Sequence, residues 1–300
     1  MKDVYHIPVM PDQSVEGLGL FPGAKVVDAT YGGGGHARLI LEKIGKGKLF
    51  AFDQDSDSVA NLPDDDRLVF IRHNFRYLKN FLRFYDTEEV DAILADLGVS
   101  SHDFDVPERG FSFRFDERLD MRMNLNSSVD AVHILNNYTE EELNLIFREY
   151  GEISNSGRLV SEIIKYRSVK PVITSGQLKE TALKCVPPSA SNKYLAKVFQ
   201  ALRIEVNDEM GALKELLMSS LGLLRPGGRL VVITYHSLED RLCKNFLKSG
   251  NFEGRIEADF FGNRLSPFRL INKKVIVPDQ KETYLNKRAR SAKLRIAEKI

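Results

Sequence analysis

Val26-Val27-Asp28-Ala29-Thr30-Tyr31-Gly32-Gly33-Gly34-Gly35-His36 reads as a short buried strand, a glycine turn and the first turn of a helix. Four consecutive glycines contribute nothing to packing and are entropically costly to order. They make sense where the backbone turns sharply and a ligand must approach its N–H groups. The helix that follows, roughly Ala37 to Ile44, bunches Leu39, Ile40, Leu41 and Ile44 for burial against a sheet. Its N-terminus aims unpaired N–H groups and the positive end of the helix dipole into the turn.

Spacing narrows the ligand class. The dinucleotide fingerprint G-x-G-x-x-G fits the register from Gly32 only loosely, because Ala37 stands at the third glycine. Asp28 closes the first strand in the pattern Asp-x-x-x-Gly-x-Gly, which resembles the first motif of class I S-adenosylmethionine-dependent methyltransferases. Thr30 stands where many of those carry another glycine. A second strand, Lys48 to Phe52, ends on Asp53, and a carboxylate there can accept both ribose hydroxyls of an adenosine cofactor of either type.

The composition sets outer bounds. A chain of 300 residues buries enough surface for one large domain or two smaller ones. With a net charge of +1, nucleic-acid binding would have to come from a local patch. Cys185 and Cys243 stand far apart in no ligand pattern, so neither a disulfide framework nor a metal site is expected, and a reducing cytoplasm fits. No apolar run reaches the roughly 18 residues of a membrane span, and a soluble intracellular protein is the expectation.

Working outward, strands and helices alternate as a doubly wound parallel sheet requires. Asp57 to Leu62 reads as a helix and Leu68 to Ile71 as a third strand, followed by Asn74 and Phe75, candidates to hold an adenine by hydrogen bond and stacking. Val90 to Asp96 reads as the fourth strand. Residues at the C-terminal ends of such strands face the ligand crevice, so Asp96 either serves the cofactor and a nucleophilic amine or caps the next element.

After Asp103 the pattern changes. Arg109, Phe111, Phe113, Arg114, Phe115, Met121, Arg122 and Met123 interleave cations with aromatics and methionines. Such a segment either stacks bases and holds phosphates or packs as an irregular loop on its own aromatics. Helices are then expected from a capping box at Thr139, over Gly157 to Arg167, over Ser175 to Val186 and over Lys193 to Val206. The sheet resumes after a helix over Glu209 to Leu224 that Arg225-Pro226-Gly227-Gly228 stops, with a β-branched strand from Arg229 to Tyr235 and then His236. Phe268 to Val277 reads as a strand bent at Asn272, paired near the sheet edge. Lys287 to Arg295 forms a basic tail, either solvated or in contact with phosphates. The expected division is 1–103 and 208–300 for a nucleotide-binding domain, with 104–207 an inserted all-helical domain.

Seven blocks, taken in order, resemble the bacterial ribosomal RNA small-subunit methyltransferase H family. They are His6 to Val9, Gly32 to His36, Asp96 to Ser101, Arg109 to Phe113, Leu119 to Met123, Phe199 to Asn207 and Tyr235 to Arg241. The resemblance spans essentially the whole chain. It implies an α/β, Rossmann-like class I methyltransferase fold with a helical substrate domain, and methylation of the exocyclic N4 of a cytidine in the decoding centre of 16S ribosomal RNA. It also implies S-adenosylmethionine contacts at Gly33, Gly34, Gly35, His36, Asp53, Phe75, Asp96 and Asp103, the last replacing a glutamine common in the family. The amine's proton acceptor is expected to be Asp96, with His236 and Asp120 as alternatives. Arg109 and Arg114 are expected to contact RNA.

Overall fold

The computed structural model describes residues 8–99, 106–262 and 264–300. They fall into two compact units, one comprising Met1–Gly98 with Gly211–Ile300 and the other Val99–Met210. His6, Ser100, Ser101 and Asp103, singled out in the sequence, lie outside the described residues.

The first unit is built on a seven-stranded sheet. In it β1 (Lys25–Asp28) is flanked in parallel by β2 (Lys48–Phe52) and β4 (Val90–Asp96). Beyond them lie β3 (Leu68–Ile71) and β5 (Leu224–Thr234), also parallel. Near-continuous apolar runs form these strands because both faces of a parallel sheet are covered. Val26, Val27, Phe50, Phe52, Ile93 and Leu94 are all completely buried. A short hairpin, β6 (Glu257–Ala258) with β7 (Arg264–Leu265), precedes β8 (Phe268–Leu270) at the sheet edge. The last strand, β9 (Lys293–Lys299), inserts antiparallel between β5 and β8. The Rossmann-like, doubly wound class I order is therefore complete on the parallel side, from β3 through β5.

Helix α1 (Pro11–Gly17) opens this unit, and α2 (Gly35–Lys43) follows the glycine turn. Helix α3 (Leu78–Phe84) buries Leu78 and Leu82. The segment expected as a helix over Asp57 to Leu62 is instead a 3₁₀ turn, Ser56–Asn61, capped by the Asp55 carboxylate. Its apolar residues are too few and too scattered to bury a full α-helical face.

Two further expectations are corrected. The helix stops ahead of Arg225-Pro226-Gly227-Gly228 as expected, at Leu223, but the strand begins earlier than Arg229, and β5 carries this segment as an irregularity. Register jumps there from Val90 opposite Leu224 to Ala92 opposite Arg229, with Gly227 at φ +78°. The basic run Lys287–Arg295 is not a tail. Residues Lys287–Ser291 form a 3₁₀ turn, and Lys293 and Arg295 belong to β9, both reaching Asp240, at 3.0 and 2.8 Å. Alternation explains this: Leu294 and Ile296, alternating with the cations, point into the core. The bend at Asn272 is held by its amide, which donates to the Leu294 carbonyl and accepts from the Ile296 N–H.

The second unit is helical apart from an isolated bridge between Arg118 and Thr174. It comprises α4 (Ala131–Asn137), α5 (Glu140–Glu149), α6 (Ser156–Arg167), α7 (Ser175–Leu183) and α8 (Ser191–Asn207). The capping box expected at Thr139 is present, with Glu142 as its partner. Helix α4, capped by Asp130, is too short to announce itself by periodicity. Helix α9 (Glu209–Leu223) leads from this unit into β5, and α10 (Ser237–Ser249) and α11 (Gln280–Leu285) complete the fold. Among the described residues no helix is long and apolar enough to cross a membrane.

Candidate active site

Strand register brings three acids to one edge of the sheet. Asp28 is level with Ala51 on β2 and Leu94 on β4. Asp53 and Asp96 each lie two residues further along, on the same face parity and about 6.6 Å beyond Asp28 along the strands. This is the crevice at the carboxyl ends of parallel strands, where open α/β sheets bind ligands.

The glycine turn is tied directly to this edge. The Gly32 N–H donates to Asp53 Oδ2 at 2.7 Å, and the Asp55 N–H to Oδ1 at 2.9 Å. A carboxylate offers about four acceptor positions, so hydroxyl donors can join these amides. Gly32 (φ +53°) and Gly34 (φ +74°) adopt the left-handed backbone. A Cβ on Gly32 would meet nothing within 4 Å, so its backbone borders open space, while one on Gly34 would strike the Tyr31 ring. Gly34 is the N-cap of α2 and no side chain caps it, so that helix start presents its amides for an outside acceptor.

Electrostatics mark the same place. Asp28 is buried, its Oδ1 accepts the Thr30 N–H at 3.1 Å, and its Oδ2 has no hydrogen-bond partner among the described residues. Burial pushes the Asp28 and Asp53 carboxyls up to about 6. An orphaned buried carboxyl oxygen beside an open glycine backbone fits a ligand that brings its own positive charge or N–H donors. His36 is buried as well, and its Nε2 faces the Val9 carbonyl at 3.0 Å. A carbonyl only accepts, so Nε2 carries the proton and Nδ1 is left as an acceptor, 3.8 Å from Asp96 Oδ2. Burial holds the ring's pKa down, which keeps it neutral.

Asp96 ends β4 under tight control. Its backbone N–H donates to Thr30 Oγ1 at 2.7 Å, and the Tyr235 hydroxyl donates to its Oδ1 at 2.7 Å. Neither Thr30 nor Tyr235 stood out from the sequence as a functional residue. Tyr235 follows β5 directly, so the rule that assigns strand ends to the crevice was sufficient to find it.

The remaining candidates divide. Phe75 begins a 3₁₀ turn after β3 and is half-buried. Asn74 spends its side chain internally, accepting from the Arg76 N–H and donating to Gln54 Oε1. His236 caps α10, its Nδ1 accepting the Glu239 N–H, while the Glu239 carboxylate takes the Tyr235 N–H at 2.8 Å.

Asp120, Arg109 and Arg114 belong to the helical unit. Asp120 forms a two-point ion pair with Arg122, at 2.7 Å through both guanidinium nitrogens; burial opposes ionisation there, but the Arg122 hydrogen bonds win and its pKa is lowered. Phe111, Leu119 and Met121 are buried, and Phe113 packs edge-on against Phe199. The arginine/aromatic segment is thus packed into the core of the helical unit through these side chains. Arg109 donates to the Arg122 carbonyl and lies over the Phe111 ring, whereas Arg114 and Phe115 are exposed.

The profile of the MraW methylase family matches residues 3–300. A relative named ribosomal RNA small subunit methyltransferase H from Parabacteroides distasonis is 59% identical over 298 residues, covering 99% of this chain and 98% of the relative. A protein of the same name from Flavobacterium johnsoniae is 54% identical over 297 residues, again covering 99% and 98%. The solved rRNA methylase from Streptococcus thermophilus is similar at a TM-score of 0.43 and 13% identity, over 97% of this chain and 93% of that one, too distant to bear on the site.

Proposed function

This chain belongs to the MraW methylase family, and on that premise we propose that it methylates the exocyclic N4 of a cytidine in the decoding centre of 16S ribosomal RNA, using S-adenosylmethionine. The observation that carries the reading is the set of three strand-end acids, Asp28, Asp53 and Asp96, around a glycine turn with an open backbone face. Its substrate is the RNA of the small ribosomal subunit, encountered in the cytoplasm.

When bound, the cofactor would supply an electrophilic methyl group carried on a sulfonium. The chain's residues bind, orient and move the proton. Gly33, Gly34, Gly35 and His36 form the turn that takes the amino-acid end, and Asp53 takes the ribose hydroxyls, each charge-assisted hydrogen bond worth about 1.5–3 kcal/mol. Phe75 flanks the adenine. Asp28, with its orphaned oxygen, balances the positive charge.

Cytosine N4 shares its lone pair with the ring, so the nucleophile needs an acceptor that draws on an N–H and keeps the proton. Asp96 fills that role in this reading, since its carboxylate sits at the strand end beside the turn. His236, occupied as a helix cap, and Asp120, paired with Arg122, are the less suited acceptors. Arg114 and Phe115 offer an exposed cation and ring to RNA.

The test is transfer of labelled methyl from S-adenosylmethionine to unmodified small subunits, with nucleoside mass analysis of the product. N4-methylcytidine is the expected product. Methylation at carbon 5 or on ribose would overturn the regiochemistry, and absence of cofactor binding would overturn the reading as a whole.

A further inference from the structure

We propose that residues 72–85 form a docking surface for an RNA strand, with unpaired cations taking phosphates and exposed rings stacking on bases. The inference rests on ribosomal RNA being the substrate, and adds a surface of the sheet unit that holds it. In a chain of net charge +1, this segment carries Arg72, Arg76, Lys79 and Arg83 and no acid. Phe75, Tyr77, Phe81, Phe84 and Tyr85 are interleaved with them. The next acids, Asp86, Glu88 and Glu89, begin only where the segment ends.

The segment leaves the carboxyl edge of the sheet beside the candidate site. Ile71 is level with Phe52, and its carbonyl accepts the Asp53 N–H at 3.2 Å, so Arg72 starts next to that acid. Helix α3 then buries Leu78 and Leu82. Burying that side turns Lys79 and Arg83, one helical turn apart, and Phe84 out to solvent.

Two observations set this face apart from an ordinary solvated one. Arg76 pairs with Glu215 at 3.3 Å, whereas Arg72, Lys79 and Arg83 have no acidic partner among the described residues. Lys79 and Arg83 are equal charges at i and i+4, a spacing at which opposite charges stabilise a helix and equal ones destabilise it. An anion brought from outside relieves that repulsion. The rings, secondly, are grouped and open. His73 lies edge-on to Tyr77 at 4.7 Å and 5.1 Å from Phe81, while Phe84 lies edge-on to Tyr85 at 5.2 Å. Phe84 is 76% exposed and Tyr77 43%. A nucleic-acid strand uses both features, its phosphates meeting the cations and its bases the ring faces. An apolar protein partner would leave the cations unpaired, and a free phosphate would leave the rings in water.

The test measures binding of the full chain to unmodified small subunits across a salt series. Lys79→Glu combined with Arg83→Glu should weaken binding about 10-fold or more and reduce the slope of log Kd against log salt by about 2. Phe84→Ala should weaken it about fivefold with the slope unchanged, because stacking releases no counterions. Kd for S-adenosylhomocysteine should stay as in the wild type in both. Should charge reversal lower that affinity too, Lys79→Gln with Arg83→Gln decides by the same readouts. Wild-type subunit affinity and slope in the charge variants would overturn the proposal, and methyl transfer by the wild type would leave the functional reading standing. A wild-type chain that binds no subunits would overturn both. Weakened subunit binding with undiminished binding to protein-free 16S RNA would assign the surface to a ribosomal protein and overturn the RNA contact.

Discussion

The backbone N–H of Gly32 donates to Asp53 Oδ2 at 2.7 Å, across 21 residues of sequence. One carboxylate therefore shapes the glycine turn, and under the proposed function the same carboxylate would take the ribose hydroxyls. Asp53→Asn keeps one acceptor oxygen and loses a charged one, so Kd for S-adenosylhomocysteine should rise about 10-fold. Asp53→Ala also leaves the Gly32 and Asp55 amides without this acceptor and should weaken binding about 100-fold or more. Titration calorimetry checks both, and a wild-type Kd in the alanine variant would remove Asp53 from the site.

Burial raises the Asp28 carboxyl from 3.8 to about 6. A group whose pKa is raised in the folded state holds its proton better there than in the unfolded chain. The stability it contributes is full below about pH 4 and is lost as pH rises through about 6, at a cost of about 3 kcal/mol once the loss is complete. Asp53, raised in the same way, adds to the effect, while His36, lowered by burial, opposes it. The ligand-free melting temperature of Asp28→Asn should therefore fall less between pH 4 and 7 than that of the wild type. Parallel curves for the two proteins would show that Asp28 does not carry this titration.

Asp240 gathers Lys293 and Arg295 from β9, at 3.0 and 2.8 Å. Asp240→Ala would leave two cations beside a largely buried position, and should lower stability by about 1–3 kcal/mol. Urea denaturation measures this directly. Unchanged subunit affinity is expected as well, because these two cations are committed within the sheet unit.

Arg114 is exposed, while Arg109 is committed to the Arg122 carbonyl and the Phe111 ring. Charge reversal therefore separates them. Arg114→Glu should weaken subunit binding several-fold, reduce the salt slope by about 1 and leave cofactor affinity alone. Arg109→Glu should instead lower the melting temperature. Unchanged subunit binding by Arg114→Glu would take the RNA contact away from this loop.

The sequence alone determined the alternation of strands and helices, the glycine turn, the acids ending three of its strands and the capping box at Thr139. Each of these follows from local rules: burial periodicity, backbone freedom at glycine, and the need to satisfy amides at a helix start. Only the tertiary structure decided that the basic run ends in an inner strand rather than a tail. Leu294 and Ile296 are buried there only because β5 and β8 lie on either side, and Asp240 is in reach only because α10 is nearby. It likewise decided which partner each site residue has. The phenol of Tyr235 meets Asp96 across 139 residues, and His36 meets Val9 across 27. Such pairs leave no periodic trace in a single chain, because hydrogen-bond geometry depends on where the sheet brings its strand ends together and not on spacing along the sequence.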